Sequence, residues 1–194
     1  ASRWTSAQGT RVGQEHLKQV AALTGGELVP AGLLGSPCVA LEREGVRSRI
    51  LLDQQAGATV VRRTTQFHLE APGRQPFEDV GIVTVGNSEP YVFVTPGGTP
   101  IGPLPPGWPK GVVAHSEYVV PALRAMREEG VVELVSELRE RAGLARWELL
   151  LSGPGLRFAM DGFLLEKGAI LDLHAVLWRF MVGRRELDAV DGRS

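Results

Sequence analysis

Between Val39 and Leu69 apolar and polar side chains alternate in three consecutive runs, the period-two signature of strands with one buried and one wet face. Residues 39–43 alternate, Glu44-Gly45 forms a two-residue turn, and residues 46–52 alternate again. That turn pairs Arg43 with Val46, Leu41 with Ser48 and Val39 with Ile50, and it sets Glu42 opposite Arg47 on the wet face. A loop over residues 53–58 leads to a third strand over 59–70, with Leu52 paired to Thr59 and Ile50 to Val61. Val61, Arg63, Thr65, Phe67 and Leu69 then share the inner face, while Val60, Arg62, Thr64, Gln66 and His68 take the other. The pattern predicts a three-stranded antiparallel meander.

On either side the period changes. Leu17, Val20, Ala21 and Leu23 recur at helical spacing over residues 14–23, and Gly25-Gly26 supplies a stop. Residues 1–13 are polar and mixed and read as an arm. After Pro72, Gly73 and Pro76 break the meander, short apolar runs at 80–85 and 91–95 predict two strands. Residues 96–111 hold six of the thirteen prolines and read as a loop, because each proline fixes φ and removes a donor. A helix is expected over 121–142, bent or split at Gly130. Strands follow at 147–151 and 156–160 around the loop Ser152-Gly153-Pro154-Gly155, and Asp161-Gly162 predicts a hairpin into 163–166. A last helix spans 169–187 with Ile170, Leu173, Val176, Leu177, Phe180 and Met181 inward, and 189–194 read as a tail. The fold class is α+β: an antiparallel sheet, meander plus further hairpins, packed against two or three helices. One domain over 14–188 is expected, with a subdomain junction at 96–111.

Composition changes this picture little. The chain has 194 residues, 43% apolar and 22% charged, with a formal charge of −1, ordinary values for a folded domain. No overall excess of positive charge favours nucleic acid or an anionic membrane, and nucleic acid is not expected as a partner. No apolar run has the roughly 20 residues of a membrane span, so no insertion by this chain is expected. The single cysteine, Cys38, excludes an internal disulfide and a multi-cysteine zinc site; among apolar neighbours it reads as an inert buried thiol. The chain starts at Ala1 rather than Met, so an anchor or signal upstream stays open; otherwise a cytoplasmic location is expected.

Motifs for phosphate loops, dinucleotide binding, zinc proteases and serine hydrolases are missing from the sequence, and no cofactor or metal is expected. The four histidines, His16, His68, His115 and His174, lie on separate elements without ligand spacing. Two features carry the binding expectations. Arg47, Arg49 and Arg62 share the wet face of the meander, with Arg49 opposite Arg62. Like charges across a ladder are unfavourable unless a carboxylate such as Glu42 or Glu70, or a bound anion, neutralises them. The proline loop carries Ile101, Leu104 and Trp108, an aromatic anchor on stiff backbone that loses little entropy on docking.

The expectation is a non-enzymatic protein-interaction or assembly domain acting through that loop, the polar face or self-association. The first alternative is a small-ligand or anion-binding domain, or an enzyme, whose site assembles from dispersed Arg and His residues. The second is the extramembrane part of a membrane-anchored protein.

Overall fold

Two residues with positive φ, Glu44 at 52° and Gly45 at 73°, close the first hairpin, the twist that matches two right-twisted strands across a two-residue turn. The turn joins β2 (Cys38–Arg43) to β3 (Val46–Ala56), and the pairs Arg43 with Val46, Leu41 with Ser48 and Val39 with Ile50 form as expected. The computed structural model describes residues 2–31, 36–56, 61–72, 77–83, 91–93, 128–131, 133, 134, 137 and 147–191. Within them, eight strands form one antiparallel sheet in the order β1-β2-β3-β4-β8-β7-β5-β6. The others are β1 (Glu27–Val29), β4 (Val61–Glu70), β5 (Phe77–Val83), β6 (Tyr91–Phe93), β7 (Trp147–Gly153) and β8 (Gly155–Asp161). With helices on the sheet, the α+β class stands.

The β3–β4 register differs from the expected one. Ile50 faces Phe67 rather than Val61, and Leu52 faces Thr65 rather than Thr59. The cause is that β3 does not end at Leu52. Asp53, held by the Ser36 hydroxyl, and Gln54 continue the ladder opposite Thr64 and Arg63, down to Ala56 opposite Val61. The slip is by an even number of residues, so the inner and outer sets survive. Ile50, Leu52, Phe67 and Leu69 remain buried.

That inner face is the core. Ile50, Phe67, Phe158 and Leu149 stand in one row across β3, β4, β8 and β7. The Phe67 and Phe158 rings meet edge to face at 6.2 Å, and Trp147 stacks on Phe158 at 5.8 Å. Each such side chain contributes about 1.5–3 kcal/mol on leaving water.

Among the described residues, two long helices pack on this face. α1 (Ser2–Thr24) buries His16, Leu17, Val20 and Ala21. It begins at Ser2, so residues 2–13 are helix rather than an arm. Gly13 is buried, and a side chain there would come into van der Waals contact with Leu52 and Phe163. The helix stops where Gly25 turns to φ 70° and Gly26 N donates to Ala21 O at 3.1 Å, a Schellman closure. Its exit brings Gly26 hard against Val39 and Ala40 and produces β1, a strand the sequence pattern does not announce. α2 (Lys167–Asp191) buries Ile170, Leu173, Val176, Leu177, Phe180 and Met181 as expected, and it runs past 187 into the expected tail.

Two further expectations change. Asp161-Gly162 is not a hairpin: residues 163–166 are not a strand but the lead into α2, fastened by Thr65. Instead Gly153, at φ 54°, makes the tight β7–β8 turn, with Ser152 paired to Gly155. At Gly130, φ 74° breaks the helical residues Glu128 and Val131 apart, and Leu134 N donates to Gly130 O at 3.0 Å. The proline loop at 96–111 lies outside the described residues.

Candidate functional site

Opposite the helices, the second face of β2, β3, β4 and β8 carries Glu42, Arg47, Arg49, Asp53, Gln66, His68, Glu70 and Arg157, with Ala40, Leu51 and Ala159 among them. The ladders sort these side chains into rows. In the row nearest the first hairpin, Glu42, Arg47 and Glu70 lie side by side on β2, β3 and β4. Arg47 Nε is 3.4 Å from Glu42 Oε2, between exposed side chains, so this pair contributes little to stability. In the next row, Glu27, Ala40, Arg49, His68 and Arg157 follow one another across β1, β2, β3, β4 and β8. One row carries a negative excess and its neighbour a positive one. Two residues along a strand, roughly 6.8 Å, separate them.

Ala40 opens the face. Its methyl stands between the longer Glu27 and Arg49, so the row dips there. A groove of about 330 Å³ follows, with Glu42, Arg47, His68 and Glu70 along its other sides. That volume is at the lower end for small-molecule sites.

His68 is half-buried, and its Nε2 lies 3.1 Å from Gln66 Oε1. Gln66 Nε2 in turn donates to Thr64 Oγ1 at 3.0 Å. With the amide turned that way, Nε2 of the neutral imidazole carries the hydrogen and Nδ1 is the acceptor. Burial pushes the His68 pKa down, and the Arg157 and Arg49 guanidiniums push it the same way, against the opposing pull of Glu70. Arg157 Nη2 is 3.8 Å from Glu148 Oε1. Among the described residues Arg49, Glu27 and Glu70 have no ion-pair partner.

Comparison of this chain with protein-family models, with curated proteins and with solved structures finds no match. The site is therefore read from its own geometry.

Of the residues expected to bind, Arg47 and Arg49 meet in the groove. Arg62 does not face Arg49: it stands opposite Gln55, and the partner of Arg49 is His68. The register that extends β3 causes this change. Ile101, Leu104 and Trp108 lie outside the described residues, as does His115. Arg63 is exposed at the rim of the inner face, with Nε donating to Gln54 Oε1 at 3.2 Å and its guanidinium 5.6 Å from the Phe163 ring centre. Glu27 comes from a strand that sequence reasoning misses. His68 and Glu70 were both legible as neighbours of the arginines, because any even register keeps His68 and Glu70 on their face.

The other described histidines sit in the helix layer. His16 Nε2 and His174 Nε2 are buried without hydrogen-bond partners among the described residues. Burial drives the His174 pKa down to about 4, with Arg43 adding to the effect. The His16 pKa is lowered by burial, against a backbone hydrogen bond at Leu164, with Lys167 lowering it further. Burial also raises the Cys38 thiol pKa, against the pull of Arg49, so the thiol is a poor nucleophile. Among the described residues no group of three or more His, Cys, Asp or Glu is placed to hold a metal ion. Nor is any described helix long and apolar enough to cross a membrane.

Proposed function

We propose that this chain is a non-enzymatic interaction domain that presents the polar face of β2, β3 and β4 to a protein partner. The observation that carries the reading is the arrangement of charge: two adjacent rows of opposite excess, with Arg49, Glu27 and Glu70 unpaired among the described residues. Patterned charge on a firm sheet gives specificity and orientation, because a partner with the wrong signs meets like charge at each row. Trp108, with Ile101 and Leu104, is the second contact of this reading, on the strength of the sequence.

The test is affinity capture by the full chain, by the double reversal Arg49→Glu with Glu70→Arg, and by Trp108→Ala. Loss of one defined partner in the variants, with thermal melts unchanged, supports the reading. Equal capture by all three proteins refutes it.

A second reading, a domain that binds a small charged ligand, is favoured by one observation: Arg47 and Arg49 of β3 and His68 of β4 line the same groove.

A further inference from the structure

We infer that the groove over Ala40 takes a small dipolar molecule of the amino-carboxylate class, its carboxylate on Arg49 and its ammonium on Glu27. The inference rests on the small-ligand reading above and gives it a chemistry.

The signs around the groove decide the class. Arg47 is engaged by Glu42 at 3.4 Å and stands opposite Glu70 in the ladder, so it is a weak anchor for an added anion. Arg49 faces only the Ala40 methyl on one side and the His68 ring on the other. Its guanidinium is the cation best placed to hold a carboxylate through two parallel N–H donors. A lone anion would gain Arg49 but would lie near the carboxylates of Glu27, Glu42 and Glu70, which also line the groove. A lone cation would gain those carboxylates but would meet Arg49. A molecule with both charges satisfies both sides, because Arg49 and Glu27 stand two strands apart in one row, roughly 9.6 Å between backbones.

Shape agrees with this. Ala40 makes a floor between Glu27 and Arg49, so a short alkyl chain fits across β2 with its ends reaching opposite charges. Neutral His68, whose Nε2 is occupied by Gln66, adds no positive charge beside Arg49.

The test is a ¹H–¹⁵N NMR titration of the full chain at pH 7 with glycine, 4-aminobutyrate and 6-aminohexanoate, alongside acetate and butylamine. Saturable shifts at Glu27, Ala40, Arg49, His68 and Glu70 are expected with at least one zwitterion. Each singly charged control should bind at least about tenfold more weakly, since it forgoes one of two charge contacts. Arg49→Gln and Glu27→Gln should each weaken the zwitterion by a similar factor. Acetate or butylamine binding as tightly as the best zwitterion overturns the inference, and so does the absence of saturable shifts with every compound. The controls on the unaltered chain keep the test decisive even if a variant fails to fold. A control matching the zwitterion defeats only the dipolar chemistry, because the groove would still be a ligand site. Silence from all five compounds defeats the small-ligand reading as well, and it leaves the protein-partner reading to its own capture experiment.

Discussion

Thr65 fastens the sheet to the segment that starts α2, and its replacement tests how that junction is held. The side chain is fully buried on β4. Its hydroxyl accepts the Leu164 N–H at 2.8 Å and donates to the Gly162 carbonyl at 2.9 Å, beside the Gly162 N–H that donates to Arg63 O at 2.8 Å. Thr65→Val keeps the branched shape and removes only the hydrogen-bonding group. Each lost bond costs about 0.5–1.5 kcal/mol, and stranding the buried Leu164 N–H costs about 1–3 kcal/mol. The Gly162 carbonyl is only partly buried, so water meets some of its demand, and about 2–4 kcal/mol is the expected total. Thr65→Ser keeps both bonds and deletes one methyl, a loss of about 1 kcal/mol. Strand propensity works in the opposite direction, because Val suits a strand better than Ser.

Urea unfolding followed by far-UV circular dichroism reads the difference directly. With a slope of about 2–3 kcal/mol/M, the Val variant should shift the midpoint by about 1 M and the Ser variant by less than half of that. A Val variant within about 0.5 kcal/mol of the parent, or one more stable than the Ser variant, refutes the clasp.

Two other predictions follow from single residues. The His174 pKa is pushed down from 6.5 to about 4, so the unfolded chain takes up this proton first. Stability from His174 is whole above its unfolded pKa and is lost as pH falls toward about 4, by up to about 3 kcal/mol. His174→Leu should flatten that limb of the stability–pH curve; a parallel curve for the variant counts against a buried neutral ring. Glu44 holds φ 52° in the first hairpin, a conformation Asn tolerates better. Glu44→Asn should raise the unfolding free energy by about 0.5–1 kcal/mol, the loss of the exposed 3.7 Å contact to Arg43 being negligible; a lower melting temperature contradicts the turn.

The first hairpin was readable because its turn is marked in the residues themselves: Glu44-Gly45 supports one two-residue closure, and the pairing then runs outward without choice. The helix faces were readable for the same reason, Leu173, Val176, Leu177, Phe180 and Met181 leaving one side that must be covered. Nothing local marks the β3–β4 turn. Alternation survives any even slip, and the polar residues Asp53, Gln54 and Gln55 look like a loop although they continue a ladder. β1 escaped notice because three residues carry no period, and its position follows from the Gly26 contact with β2.

Charge held the missing information about register. Pairing Ile50 with Val61 sets Arg49 against Arg62, an unfavourable contact that the alternation rule does not detect. Sliding β4 until Ile50 meets Phe67 removes that contact and brings Glu70 opposite Arg47, with Glu42 already on its other side. It also puts beside Arg49 the one titratable neighbour able to stay uncharged, His68, whose ring the two flanking guanidiniums and burial keep deprotonated. The placing of Ile50 beside Phe67, which in turn meets Phe158, and the sorting of charge on the reverse face therefore select the same register. Agreement between independent terms is what isolates one pairing from its near alternatives. It also completes the groove: the β1–β2 and β2–β3 pairings already set Ala40 between Glu27 and Arg49, and this register adds His68 to their row and Glu70 to the row beside it.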